Sequence, residues 1–140
     1  MRRTEQDQGR LAQALMVRLD LEHEAVWLLG VVGGSVASLQ DRATKSFTRH
    51  RRSRDSLIVT LRRLGVEPTA ARASYGEPPV GEQDCRAAVA DVERRLVAAC
   101  LDLVNVSGPR GRPRAVDALR RSALEVIAWG GSPEAFPGLA

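Results

Sequence analysis

The sequence predicts an all-α protein: a single four-helix bundle with a long crossing connection between its second and third helices. Three observations predict it. Alanine, leucine, valine and arginine dominate, only 4% of residues are aromatic, and β-branched runs bounded by turn signals are scarce, so the composition favours helices. Apolar residues recur at 3,4 spacing in four separate segments, the period of one face of an α-helix. The segments are divided by glycine and proline, and one divider, residues 66–81, holds Pro68, Pro78, Pro79, Gly76 and Gly81 and is too proline-rich to be helical. With 140 residues, 44% of them hydrophobic, the chain is one domain's worth, residues 1–140, and can bury a core without staples.

Helix one is expected from about Glu5 to about Leu39, with Gly33-Gly34 as a weak point. Its main stripe is Ala12, Leu15, Leu19, Glu22, Val26, Leu29 and Gly33, which places one carboxylate on a face that should be buried. Such a group must be paired, hydrogen-bonded or metal-bound, because an isolated buried charge does not persist. Val17, Leu21, Leu28 and Val31 gather on a second face. Either a homodimer contact through helix one or the loop after helix two must cover that surface.

Helix two should start near Asp41, as N-cap, and end at Leu64 before Gly65. Phe47, His50, Arg54, Leu57, Leu61 and Leu64 form its inward stripe, and Arg51 and Asp55 are spaced for an i,i+4 pair. The connection that follows must cross the bundle, with Tyr75 packing it down, because helices two and three then run parallel. Helix three, about Glu82 to Val106, turns Cys85, Val89, Val92, Leu96, Cys100 and Leu103 inward, with Glu93 bordering that face. Helix four, about Arg114 to Gly130, is expected to turn Val116, Leu119, Ala123, Val126 and Ile127 inward, and Phe136 to pin the tail into a groove.

The net charge of +4 and pI near 10.0 raise a polyanionic partner as an option, with Lys45, Arg49, Arg52 and Arg63 on helix two and Arg110, Arg112 and Arg114 in the loop before helix four as its contacts. Against it, the charges are interspersed with 17 acidic residues, and no aromatics interleave with the arginines for base stacking. Cys85 and Cys100, some 22 Å apart along one helix at about 1.5 Å per residue, cannot bridge each other and read as buried free thiols of a reducing compartment. The N-terminus lacks the apolar core of a signal peptide and no stretch is long enough to span a bilayer, so a cytoplasmic protein without membrane contact is expected.

Glu22-His23-Glu24-Ala25-Val26, His50-Arg51-Arg52, Arg54-Asp55, Tyr75, Glu93 and the Phe136-Pro137-Gly138 tail, in this order, resemble the actinobacterial ferritin-like domain family of unknown function, over about Leu11 to Leu139. The resemblance implies a ferritin-like bundle and suggests dimers. It does not bring a complete di-iron motif, which needs a glutamate on each of two helices and a Glu-x-x-His pair on each of the others. Glu22 and Glu93 match the single carboxylates, but Phe47 stands three residues before His50, and Glu125, with Ala128 at the third position after it, points away from the expected inward face. The expected reading is therefore a non-enzymatic, cofactor-free, homodimeric binding or scaffold protein in which Glu22, His50, Arg54 and Glu93 form a buried polar network, with Arg54 bridging the carboxylates. A nucleic-acid- or ribosome-associated module is the first alternative. A metal-binding oxidoreductase, with one ion on Glu22, His50 and Glu93, is the second, opposed by the adjacent guanidinium.

Overall fold

The computed structural model describes the backbone of residues 2–139 and side chains from Thr4 to Leu139. Four helices follow one another: α1 (Arg2–Ser35), α2 (Gln40–Arg63), α3 (Glu82–Val106) and α4 (Arg112–Ala128), with a short 3-10 turn at Ala37–Leu39. Among the described residues there is no strand. α1 ends just past Gly33-Gly34, where Val36 turns to extended backbone, φ −126° and ψ 102°, four residues earlier than the sequence suggests. The turn is tight: a Cβ on Gly33 would sit 3.4 Å from that of Ala43, so glycine lets α1 and α2 close against each other. Asp41 lies inside the first turn of α2, whose N-cap is Leu39, and complements the helix dipole there instead of capping it.

The core shows how the helices run. Leu15 and Leu19 of α1 meet Leu57 and Leu61 of α2 and Leu103 of α3 in one apolar cluster, while Leu28, Leu29 and Val32 meet Ala43, Cys85 and Val89 in another. α1 is therefore antiparallel to both α2 and α3. α2 and α3 run parallel, and the chain between them must travel the length of the bundle, as expected. α1 packs on α2 and α3, and α3 on α4, but α2 and α4 scarcely meet. The fourth side of the bundle is open.

The inward faces expected of α1 and α3 are the buried ones: Leu15, Leu19, Glu22 and Leu29, then Cys85, Val89, Val92, Leu96, Cys100 and Leu103. Both cysteines are free and buried. The crossing loop packs on α1 beside that second face, on Met16, His23 and Trp27. The Trp27 and Tyr75 rings lie 5.9 Å apart, the Thr69 carbonyl is 2.9 Å from His23 Nε2, and the Thr69 hydroxyl donates to Met16 Sδ at 2.9 Å. Leu28 is buried and Val17 stays half exposed. Of the second face, Leu28 is used in the core, while Leu21 and Val31 are only part-buried.

Three local expectations are corrected. α4 is rotated relative to the expected face: Ala115, Ser122, Val126 and Trp129 are buried, while Ile127 is exposed. Alanine and serine are weak apolar signals, and they hid the stripe that ends in the 1% exposed Trp129. Phe136, 74% exposed, does not pin the tail. Glu134 pairs with Arg94 at 3.2 Å, and Gly138, at φ +86°, lies so close that a Cβ would come within 3.2 Å of Leu101, so the tail docks through a glycine. Asp55 accepts from Arg54 instead of Arg51, whose guanidinium lies 5.6 Å from the centre of the Phe47 ring.

Candidate functional site: a polar layer and an open cleft

Between the two apolar clusters lies a polar layer contributed by three helices. His50 of α2 places Nδ1 2.6 Å from Glu22 Oε2 of α1 and Nε2 2.6 Å from Glu93 Oε1 of α3. His50 and Glu22 are each 3% exposed and Glu93 is wholly buried. An imidazole with a carboxylate oxygen at hydrogen-bond distance from each nitrogen needs a hydrogen on both. Burial alone pushes His50 down, but the hydrogen bonds from Glu22 and Glu93 and their charges outweigh it and raise its pKa from 6.5 to about 9. His50 therefore carries a proton on each nitrogen at neutral pH and donates to both glutamates. The expected network of Glu22, His50 and Glu93 is present.

Arg54 is not part of it. Its guanidinium turns outward to Asp55, with Nη2 2.8 Å from Oδ1. Residue 54 borders the buried face, and its long stem lets the head reach water, where the more exposed Asp55 meets it. The guanidinium groups beside the layer belong to Arg18 and Arg49. Arg18 Nη2 lies 3.6 Å from Glu22 Oε1, one helical turn away, and Arg49 Nη2 lies 3.1 Å from Glu125 Oε2 and 3.9 Å from Glu93 Oε1. Glu125 also accepts from the Trp129 indole at 3.2 Å and the Ser46 hydroxyl at 3.3 Å, so it faces the bundle and does not point away.

The layer opens on the gap between α2 and α4, a cleft of about 460 Å³. Glu22 and His50 line it, Leu11, Leu15, Leu57 and Leu103 give it an apolar floor, and Arg18, Arg49, Arg52, Arg114 and Arg121 stand around it. Of the arginines and lysine expected to contact a polyanion, Arg49, Arg52 and Arg114 come together here. Lys45 lines a separate depression with Asp41 and Arg42, Arg112 is tied to the carbonyls of Val104 and Ser107, and Arg63 and Arg110 join neither group.

Residues 14–140 match a family described as a domain of unknown function, DUF4439. The chain belongs to this family. The polar layer of this DUF4439 chain lies within the matched segment, as does the cleft apart from Leu11. It also superposes on the crystal structure of a conserved hypothetical protein, rv2844, from Mycobacterium tuberculosis, with a TM-score of 0.82 and 26% sequence identity over 94% of this chain and 99% of that one. No curated protein matches it closely enough to count as a relative.

The residues of the DUF4439 layer do not fit a metal centre. Both nitrogens of His50 are engaged by carboxylates, which leaves no lone pair for an ion. Arg49 places a positive charge beside Glu93 and Glu125, and the other histidine, His23, is turned to the Thr69 carbonyl. Glu93 Oε2 is buried without a hydrogen-bond partner, but one free oxygen is no ligand set. Among the described residues no group of three or more His, Cys, Asp or Glu side chains is arranged to hold an ion. No helix among them is long and apolar enough to cross a membrane.

Arg18, Glu125 and Arg121 were missed by reading the sequence. Arg18 precedes Glu22 by one turn, which could have nominated it. Glu125 would have followed from giving Trp129, the residue that caps the end of α4, its due as the one most in need of burial.

Proposed function

We propose that this protein is a non-catalytic, ferritin-like binding protein in which the hydrogen-bonded layer Glu22, His50 and Glu93 stands in place of a di-iron centre. The observation that carries the reading is the pair of 2.6 Å contacts that engage both nitrogens of His50. A histidine held in this way orients two helices against a third and does not serve as a ligand or base. Its chemistry is structural: charge-assisted hydrogen bonds fix the register of α1, α2 and α3 at the one level where the core is polar. The two buried thiols are in keeping with a reducing, cytoplasmic setting. A homodimer through α1 would use the exposed Val17 of its second face, and this reading does not depend on it.

Elemental analysis of the freshly purified protein, repeated after incubation with ferrous iron or manganese and desalting, tests the proposal. Only traces of metal are expected. Stoichiometric iron or manganese that disappears in a His50→Gln variant overturns the reading in favour of a metal-dependent oxidoreductase.

A further inference from the structure

The cleft between α2 and α4 has a composition that the polar layer does not need. Five arginines line it against two acids, Glu22 and Asp117, and Glu22 is already engaged by His50. Among the described residues Arg52, Arg114 and Arg121 have no acidic partner, although the salt bridges of the chain pair six other arginines with carboxylates. Arg18, whose side chain is 15% exposed, has a buried Nε without any hydrogen-bond partner, and its 3.6 Å contact to Glu22 is too long for a hydrogen bond. The Nη groups of Arg18, which are not among the buried unpartnered atoms, are the ones an acceptor in the cleft can reach.

The register of the helices separates the cleft into two parts. Glu125 meets Arg49 near the polar layer, while Ala115 packs with Leu57, Leu61 and Leu103 toward the other end. Arg121, one turn from Glu125, is therefore level with Arg52 and Arg18, beside the layer. Leu11, Leu15 and Leu57 extend from there toward Thr60 and Arg114. Three cationic donors at one end, and an apolar floor running from them to the single Arg114 at the other, match a molecule with one charged head and one apolar tail.

We propose that this cleft binds a small amphiphilic oxyanion, with a carboxylate or phosphate monoester head held by Arg18, Arg52 and Arg121 and an apolar chain laid on Leu11, Leu15, Leu57 and Leu103. A volume of about 460 Å³ is within the range of small-ligand sites. The sparse direct packing of α2 on α4 has the same explanation, since the ligand fills the gap between them. The inference deepens the reading of the chain as a binding protein and rests on it.

Isothermal titration calorimetry on the full chain at low salt, with decanoate, decyl phosphate, inorganic phosphate and a short single-stranded RNA as separate titrants, tests the inference. One decanoate or decyl phosphate per chain is expected, the two arms distinguishing a carboxylate head from a phosphate head, with inorganic phosphate at least about tenfold weaker for want of a tail and affinity falling as salt rises. Arg52→Glu and Arg121→Glu should each weaken binding by about tenfold or more. Both side chains are exposed and unpaired, so folding is retained, and circular dichroism together with the milder Arg→Gln variants verifies this. No heat with either amphiphile, equal binding of inorganic phosphate, or affinity unchanged by charge reversal overturns the proposal. RNA bound in preference to both amphiphiles overturns it in favour of a nucleic-acid module. A failed titration with metal-free protein rejects the ligand class alone, whereas stoichiometric iron rejects the non-catalytic reading whatever the titration shows.

Discussion

Raising the pH from 7 to 9 should loosen this bundle through one residue. His50 ionises near 6.5 in an unfolded chain and at about 9 when folded, because Glu22 and Glu93 hold its charged form. At about 1.4 kcal/mol for each unit of pKa, the fold favours the imidazolium by about 3 kcal/mol. Because the folded value is the higher one, this contribution is complete below pH 6.5 and is lost as the pH rises through 9. Linkage puts the loss between pH 7 and pH 9 at about 2 kcal/mol. Urea denaturation followed by circular dichroism at pH 6, 7, 8 and 9 measures it, with a His50→Gln variant as reference. The variant starts less stable but lacks this slope. The window stops at 9 because burial pushes the Cys100 thiol up to about 11, so its own loss of stability begins only above its ordinary value of 9. A wild-type slope between pH 7 and 9 no steeper than that of the variant would refute the doubly bonded imidazolium.

Three further outcomes are expected. Glu93→Leu removes one acceptor of a buried charged pair and should cost on the order of 3–5 kcal/mol by chemical denaturation, whereas the combined replacement Glu22→Leu, His50→Phe and Glu93→Leu should be less destabilising than Glu93→Leu alone. Arg54→Leu should change stability by about 1 kcal/mol at most, since its partner Asp55 is a surface residue; a loss of about 3 kcal/mol in the same denaturation series would restore Arg54 to the polar layer. Trp129→Ala, at a position 1% exposed, should cost on the order of 3–5 kcal/mol, and a melting temperature unchanged within error would show that the end of α4 is not docked.

By itself the sequence determined the elements: the helix boundaries of α2 and α3 to within a residue or two, the inward faces of α1 and α3, the crossing loop, and three of the four members expected in the polar network. These are local properties. Leucine, valine and cysteine at 3,4 spacing mark a face whatever lies opposite, and a carboxylate in such a stripe must find a partner somewhere. Tertiary structure alone decided which partner. Arg18, Arg49 and Arg54 all carry long flexible stems, and only the separation of the helices shows that Arg49 reaches Glu125 while Arg54 reaches Asp55. The same holds for the rotation of α4, set by the packing of Trp129 against a core made by other helices, and for the loop that packs on α1. The open side between α2 and α4 has no mark in the sequence at all, because a cleft is made by what fails to pack, and periodicity records only what does.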